Sequence, residues 1–223
     1  MECKVPIAVI MMGPPGSGKG TQSSRLSAFL GVPKISTGDI LRQVAAGNDS
    51  NSENIRTIME SGGFVPDSIL ADLVVSRLSK PDCENGFILD GYPRNAEQAA
   101  FLEKLLLNRE YKLLVVEIIV PEDILLKRII GRYSCKNCGT IYNKYFLNPN
   151  KEGVCDQCGS SEFTYRTDDN ELVIRERLRE YNAQTVPVLD YYHARNVLVS
   201  VNGNRPLDDI YNELTYQITI KCK

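Results

Sequence analysis

The stretch Met11-Met12-Gly13-Pro14-Pro15-Gly16-Ser17-Gly18-Lys19-Gly20-Thr21 follows an apolar run and opens a segment with helical patterning. Its glycines let the backbone curl until successive N–H groups converge. The helix behind adds its positive end, and Lys19 supplies a mobile cation for phosphate oxygens. The order strand, loop, lysine, helix is that of a phosphate-binding loop rather than of an ordinary glycine-rich turn, and it asks for a nucleotide. One position departs from the general pattern. Gly20 follows the lysine where Ser or Thr is usual, and Thr21 comes one place late, so any Mg2+ is expected to be held mainly by the nucleotide, waters and carboxylates elsewhere.

Around this loop, 223 residues suffice for one substantial core with a small inserted module. The 26 basic residues are balanced by 28 acidic ones, which excludes a broad basic field for nucleic acid and leaves individual arginines to carry recognition. Val5 to Met12 runs straight into the loop without a small-residue cleavage site and reads as a strand rather than a secretory signal. Leu113 to Val120 is too short to span a bilayer. The expectation is a soluble, cytoplasmic, monomeric protein.

Downstream of the loop, Gly18 to Leu30 reads as a helix ending near Gly31 and Pro33, which makes the first half of a βαβ unit. Ile35-Ser36-Thr37-Gly38-Asp39-Ile40-Leu41-Arg42 brings a second turn into a helix start, with Ser36, Thr37 or Asp39 as capping candidates. Gly47 to Glu53 reads as a surface turn, and Asn54 to Ser61 as a helix closed by Gly62 and Gly63. Another helix after Pro66 carries Ile69, Leu70, Leu73, Val74 and Leu78 on one side.

Gly86-Phe87-Ile88-Leu89-Asp90-Gly91-Tyr92-Pro93-Arg94 is an apolar strand ending in a carboxylate, then a tight turn and an arginine. Ligands of open α/β sheets sit at the carboxyl ends of strands, so Asp90 and Arg94 should face the phosphate loop, although a turn or cap role would also explain Asp90. Asn95 and Gln98 fit a variant capping box that competes with a binding role for Gln98. After the strand Leu113 to Val120, the helix Pro121 to Arg132 directs Arg128 and Arg132 toward a site.

Cys135-Lys136-Asn137-Cys138-Gly139 and Cys155-Asp156-Gln157-Cys158-Gly159 form two knuckles. Four thiolates at this spacing make a closed tetrahedral Zn2+ site with no open position, hence a structural metal; redox-active CxxC pairs are the rival reading. Cys3, Cys83 and Cys222 receive no role. Asp168 with Glu171 reads as a capping box opening a long helix whose inward stripe is Ile174, Leu178, Tyr181 and Thr185. Arg177 lies roughly 60° from Ile174 at its border, Arg175 and Arg179 pair with glutamates one turn away, and Pro187 breaks the helix. His193, the one histidine, is read as a packing or surface residue. A last strand covers Val197 to Val201, with a loop and a closing helix after it.

With GPPGSGKGTQ, ISTGDILR, LDGYPR and the paired cysteines quoted, the chain resembles the adenylate kinase family along essentially its whole length, in the long-lid form with a zinc knuckle. The resemblance implies an α/β P-loop nucleoside monophosphate kinase fold: a five-stranded parallel sheet flanked by helices, residues 1–35, 66–131 and 169–223 as core. Residues 36–65 would form an AMP-binding flap and 132–168 a zinc-binding lid. It assigns the ATP phosphates to Gly16, Ser17, Gly18, Lys19, Gly20 and Thr21, with Arg132 above them. Ile141 and Tyr142 would flank adenine, and Arg205 would present its backbone to that base. AMP would meet Thr37, Arg42, Gly63, Phe64, Val65, Gly91, Arg94 and Gln98. Arg128, Arg132, Arg166 and Arg177 would converge with Lys19 and Arg94 on the transferred group, and Asp90 would stand near Mg2+. Cys135, Cys138, Cys155 and Cys158 would hold Zn2+. Tyr133 replaces an arginine found in some relatives.

The implied reaction is reversible Mg-dependent transfer from ATP to AMP giving two ADP. It needs positioning and electrostatic stabilisation and no general base, because the phosphate of AMP is already a nucleophile. Three alternatives stand beside it: a sister kinase acting on UMP, CMP or GMP, a zinc-ribbon nucleic-acid-binding protein, and a P-loop switch. The sparse Lys136, Lys144 and Lys151 argue against a phosphate-tracking surface.

Overall fold

A computed structural model describes residues 5–61, 63, 65–107 and 111–222. In chain order the elements begin with β1 (Ile7–Met12), α1 (Lys19–Leu30), β2 (Lys34–Ser36), α2 (Thr37–Ala45), α3 (Ser50–Ser61) and α4 (Asp67–Leu78). They continue with β3 (Gly86–Asp90), α5 (Ala96–Leu107), β4 (Lys112–Ile119), α6 (Glu122–Ile130), β5 (Arg132–Cys135), β6 (Ile141–Asn143) and β7 (Phe163–Thr164). The chain closes with α7 (Glu171–Glu180), a π-helical turn Tyr181–Thr185, α8 (Val186–His193), β8 (Leu198–Asn202) and α9 (Leu207–Cys222).

Five strands form a parallel sheet in the order β2-β3-β1-β4-β8. Helices cover both faces, which explains why β1 reads as an unbroken apolar run rather than an alternating one. Ala8, Ile10 and Met12 pack with Leu41, Leu70, Phe87 and Tyr192 on one side. Ile7, Val9 and Met11 pack with Leu26, Ile118, Leu125 and Leu214 on the other. The register aligns Met11 with Asp90 and Asp90 with Ser36, so three strands end at one level. The loops that follow them all open on the same side.

Local capping sets where several helices start. Ser36 caps α2 by accepting from the Asp39 N–H at 3.2 Å. Asn95 accepts from the Gln98 N–H at 2.9 Å while the Gln98 side chain accepts from the Arg94 N–H at 2.8 Å, one residue ahead of the cap N–H that a standard capping box uses, so the box is a variant one. Helix α3 begins at Ser50 rather than Asn54 because Asp49 accepts from both the N–H and the hydroxyl of Ser52, at 2.9 and 3.0 Å.

Two further readings are corrected. Asn170, not Asp168, caps α7 by accepting from the Val173 N–H at 3.1 Å, because Asp168 is drawn into an ion pair with Arg177. Pro187 does not end the helix. The π turn ahead of it shifts the hydrogen-bond register and leaves the proline in the first turn of α8, where its missing N–H costs nothing. Cys83 is a buried free thiol, whereas Cys222 is disulfide-bonded and so is not one; Cys3 lies outside the described residues. The predicted pairs of Arg175 with Glu171 and Arg179 with Glu176 are present.

Between α6 and α7 the chain forms a second, antiparallel sheet in the order β6-β5-β7. Its small core consists of Tyr142, Cys135 and Cys155 with Tyr133 and Phe163 packed against them. So little apolar material is a weak basis for a fold, and cross-linking by metal is the usual remedy in modules of this size. Among the described residues no helix is long and apolar enough to cross a membrane.

Candidate active site

The strand ends, the phosphate loop and the antiparallel module enclose a cleft of about 1530 Å³. Gly13 enters the loop with φ 137°, and Gly16 and Gly18 follow at 80° and 96°, a left-handed path open to glycine. A Cβ on Gly13 would stand 2.6 Å from the Ile118 carbonyl, so the loop lies tight on β4. Gly16, Gly18, Lys19, Gly20 and Thr21 line the cleft. Ser17 is buried beneath it, and its hydroxyl has no hydrogen-bond partner among the described residues. Lys19 Nζ donates to the Gly13 and Pro14 carbonyls at 2.6 and 2.8 Å, which folds it over its own loop.

Burial pulls the Lys19 ammonium down to about 8, with Arg94 and Arg132 adding repulsion and Asp90 opposing the change. The same desolvation lowers Arg94 to about 10, with Arg177 the next contributor, and Arg166 to about 10, with Arg132 next. Cations crowded into one partly dehydrated space form a site built for a polyanion.

Each arginine has a distinct tether. Arg132 makes two contacts with Asp169, Nε to Oδ2 at 2.8 Å and a terminal nitrogen to Oδ1 at 2.5 Å. Arg177 pairs with Asp168, and Arg42 with Asp39, whose second neighbour is Arg166 at 4.0 Å. Arg94 Nε donates to the Gly91 carbonyl at 2.8 Å. Arg128 donates to the Gly203 carbonyl at 2.9 Å and lies 5.9 Å from the Phe146 ring. Arg205 pairs with Glu213 and donates to the Asn202 carbonyl at 3.2 Å, and the residue lines the cleft.

On the flap side, Arg42, Gly63, Val65, Gly91 and Arg94 line the cleft, and Phe64 lies outside the described residues. Thr37 is buried behind this wall, its hydroxyl donating to the Gly91 carbonyl at 3.0 Å. Gln98 is also buried. Its amide nitrogen donates to Asp67 at 2.6 Å and its oxygen caps Arg94, which makes it a support for the turn carrying Arg94. Asp67 also accepts from Asn95, and its bridging role had no local sequence signal because the partners lie 28 and 31 residues away. The pairing roles of Asp168 and Asp169 were likewise hidden, since Asp168 reads as a helix cap and Asp169 meets Arg132 from 37 residues away.

Asp90 lies in the cleft at the end of β3, and its Oδ2 is 3.4 Å from where a Cβ on Gly20 would stand. The cleft wall opposite contains Ile141 and Tyr142. Beyond them, the sulfurs of Cys135, Cys138, Cys155 and Cys158 all lie within 4.8 Å of one another. Thiolates arranged about Zn2+ at ~2.3 Å stand roughly 4 Å apart, so the cluster could hold that ion.

The family model described as adenylate kinase matches residues 11–197. Over 207 residues the chain is 45% identical to an adenylate kinase of Zymomonas mobilis, covering 92% of this chain and 93% of that protein. It is 44% identical over 202 residues to an adenylate kinase of Rickettsia africae, covering 91% and 94%. An archaeal adenylate kinase from Archaeoglobus fulgidus is 41% identical over 207 residues, covering 92% and 95%. A phosphate loop, a cationic cleft and a sheet order with this much shared sequence lead to one conclusion: the chain belongs to the adenylate kinase family, the ATP:AMP phosphotransferases.

Proposed function

We propose that the chain transfers the terminal phosphoryl group of ATP to AMP, giving two ADP, within the single cleft described. The observation that carries this reading is the convergence of Lys19, Arg94, Arg132, Arg166 and Arg177 on one cleft that has a phosphate loop at its floor. ATP would lie over Gly16 to Thr21, its adenine near Ile141, Tyr142 and the Arg205 backbone. AMP would lie against Arg42, Gly63, Val65, Gly91 and Arg94, with Thr37 and Gln98 holding that wall from behind. Residues 36–65 would move as the AMP flap and 132–168 as the lid, on a core of 1–35, 66–131 and 169–223.

Charge builds on the moving phosphoryl group, and the guanidinium and ammonium groups that line the cleft would stabilise it once Lys19 turns from the Gly13 and Pro14 carbonyls toward phosphate. AMP attacks as a dianionic phosphate. The arginines bring it close despite charge repulsion, and closure of the lid excludes water that would otherwise take the phosphoryl group. Mg2+, bound with ATP near Asp90, would supply further charge neutralisation. Zn2+ on the four cysteines would stabilise the lid, an apparent binding energy on the order of 10 kcal/mol in comparable modules.

We take the chain to act as a cytoplasmic monomer without nucleic acid or membrane: its 26 basic and 28 acidic residues leave no broad basic field, and the unbridged knuckle thiols suit a reducing compartment, whereas the disulfide of Cys222 does not. The test is product formation from Mg-ATP with AMP, CMP, UMP or GMP and with no acceptor. ADP formed stoichiometrically from ATP and AMP alone is expected. Transfer to another monophosphate instead would overturn the acceptor assignment.

A further inference from the structure

We propose that Tyr142 is a positioning residue that couples the four-cysteine centre to the ATP-side wall of the cleft. The proposal rests on the reading of that wall given above. Tyr142 is 3% exposed, and its hydroxyl makes two contacts with the second knuckle. It accepts from the Asp156 N–H at 2.8 Å and donates toward Cys155 Sγ at 3.5 Å. Asp156 N–H, phenol and sulfur therefore form a relay in which the first bond strengthens the second. The ring is fixed as well, stacked on Tyr133 with centroids 5.8 Å apart and meeting the edge of Phe163 at 5.8 Å.

The strand that carries this ring is anchored at both sides. Asn143, next in β6, donates to the Arg128 carbonyl at 2.6 Å and accepts from the Tyr145 N–H at 2.9 Å, which ties β6 to the end of α6. Ile141 and Tyr142 form cleft wall, and Cys135, Cys138 and Thr140 of the first knuckle continue it. One short strand thus touches α6, the cleft and the four-cysteine centre.

A divalent ion among four thiolates leaves excess negative charge on sulfur. A phenol donor at Cys155 offsets part of it and fixes that ligand, as outer-shell partners of metal sites generally do. Because the same residue sits in the cleft wall, a nucleotide that orders the wall would also hold the metal-bound form of the centre, and such a coupling is reciprocal.

Tyr142→Phe keeps the ring and removes the hydroxyl. The expected result is a zinc dissociation constant raised roughly 10- to 100-fold. In the Co2+-substituted protein, the tetrahedral ligand-field bands should remain while the thiolate-to-metal charge-transfer band shifts. Zinc release to a chromogenic chelator should be slowed in the wild type by a non-hydrolysable ATP analogue with Mg2+ but not by AMP, and Tyr142→Phe should lose that protection. Unchanged zinc affinity and an unchanged cobalt spectrum would overturn the hydroxyl contact. Equal protection in the variant would overturn the coupling. Should the variant not fold, wild type protected equally by the analogue and by AMP, or by neither, overturns the coupling. Calorimetry separates the two levels: an analogue that does not bind at all overturns the phosphotransfer reading and the coupling with it, whereas the cobalt spectrum tests the hydroxyl contact by itself.

Discussion

Asp169 grips Arg132 at two points, at 2.8 and 2.5 Å, and both side chains are largely removed from solvent, 5% and 18% exposed. The pair joins the first residue of the antiparallel sheet to the segment between β7 and α7. Arg177 and Asp168 form a second pair beside it. Two arginines of the cleft are therefore each held by a carboxylate of the segment between β7 and α7.

Asp169→Asn should loosen that hold. Loss of a partly buried, doubly hydrogen-bonded partner costs on the order of 1.5–3 kcal/mol, so the melting temperature should fall by several degrees. The KM for ATP should rise as Arg132 loses its fixed orientation. Differential scanning calorimetry and steady-state kinetics on the variant check both effects.

Lys19 titrates near 8 instead of 10.5, chiefly through burial. A lysine whose folded pKa is depressed costs stability while it is charged. Between about 8 and 10.5 the unfolded chain binds more protons, so this group's contribution to stability rises with pH through that window. Activity should run the other way. The kcat/KM for ATP is expected to fall above about pH 8 as the ammonium is lost, and Lys19→Arg should move that limb upward. Lys19→Met should lower kcat by roughly 10²–10³-fold, the usual cost of removing one preorganised donor. A pH–rate series on the three proteins provides the check.

Cys135→Ser, or thorough removal of zinc, should destabilise the lid more than it harms the chemistry. Limited proteolysis should then cut within residues 132–168 while the core sheet stays intact, and the melting temperature should drop. An unchanged melt after verified metal removal would contradict a structural role.

Gly13→Ala and Gly18→Ala separate two kinds of strain. Both positions have positive φ, at 137° and 96°, which costs a non-glycine residue roughly 1–3 kcal/mol. Only at Gly13 does the added carbon also collide, 2.6 Å from the Ile118 carbonyl, while nothing lies within 4 Å at Gly18. Denaturant unfolding should show Gly13→Ala as the more damaging change.

Signals that are local along the chain were legible in it. The Gly13 to Thr21 loop, the apolar strands, the Ser36 and Asn95 caps and the cysteine knuckles each depend on spacing within a few residues, and each is where the pattern put it. Tertiary structure decided the contest between competing roles for one side chain. Asp168 offered itself as a cap and was taken by Arg177, nine residues on, leaving Asn170 to cap the helix. Gln98 reads as a cap and as a binding residue, and its side chain engages both the Arg94 N–H and Asp67 from another helix. Pro187 should have broken a helix, but a π turn absorbed it. The sequence determined by itself the phosphate loop, the sheet it feeds and the metal knuckles, because backbone geometry and ligand spacing are written in neighbouring residues. Only the tertiary structure decided which carboxylate holds which arginine and which polar side chains sit behind the cleft wall rather than in it, because those choices are won by partners distant in sequence and by the cost of leaving a buried polar group unpaired.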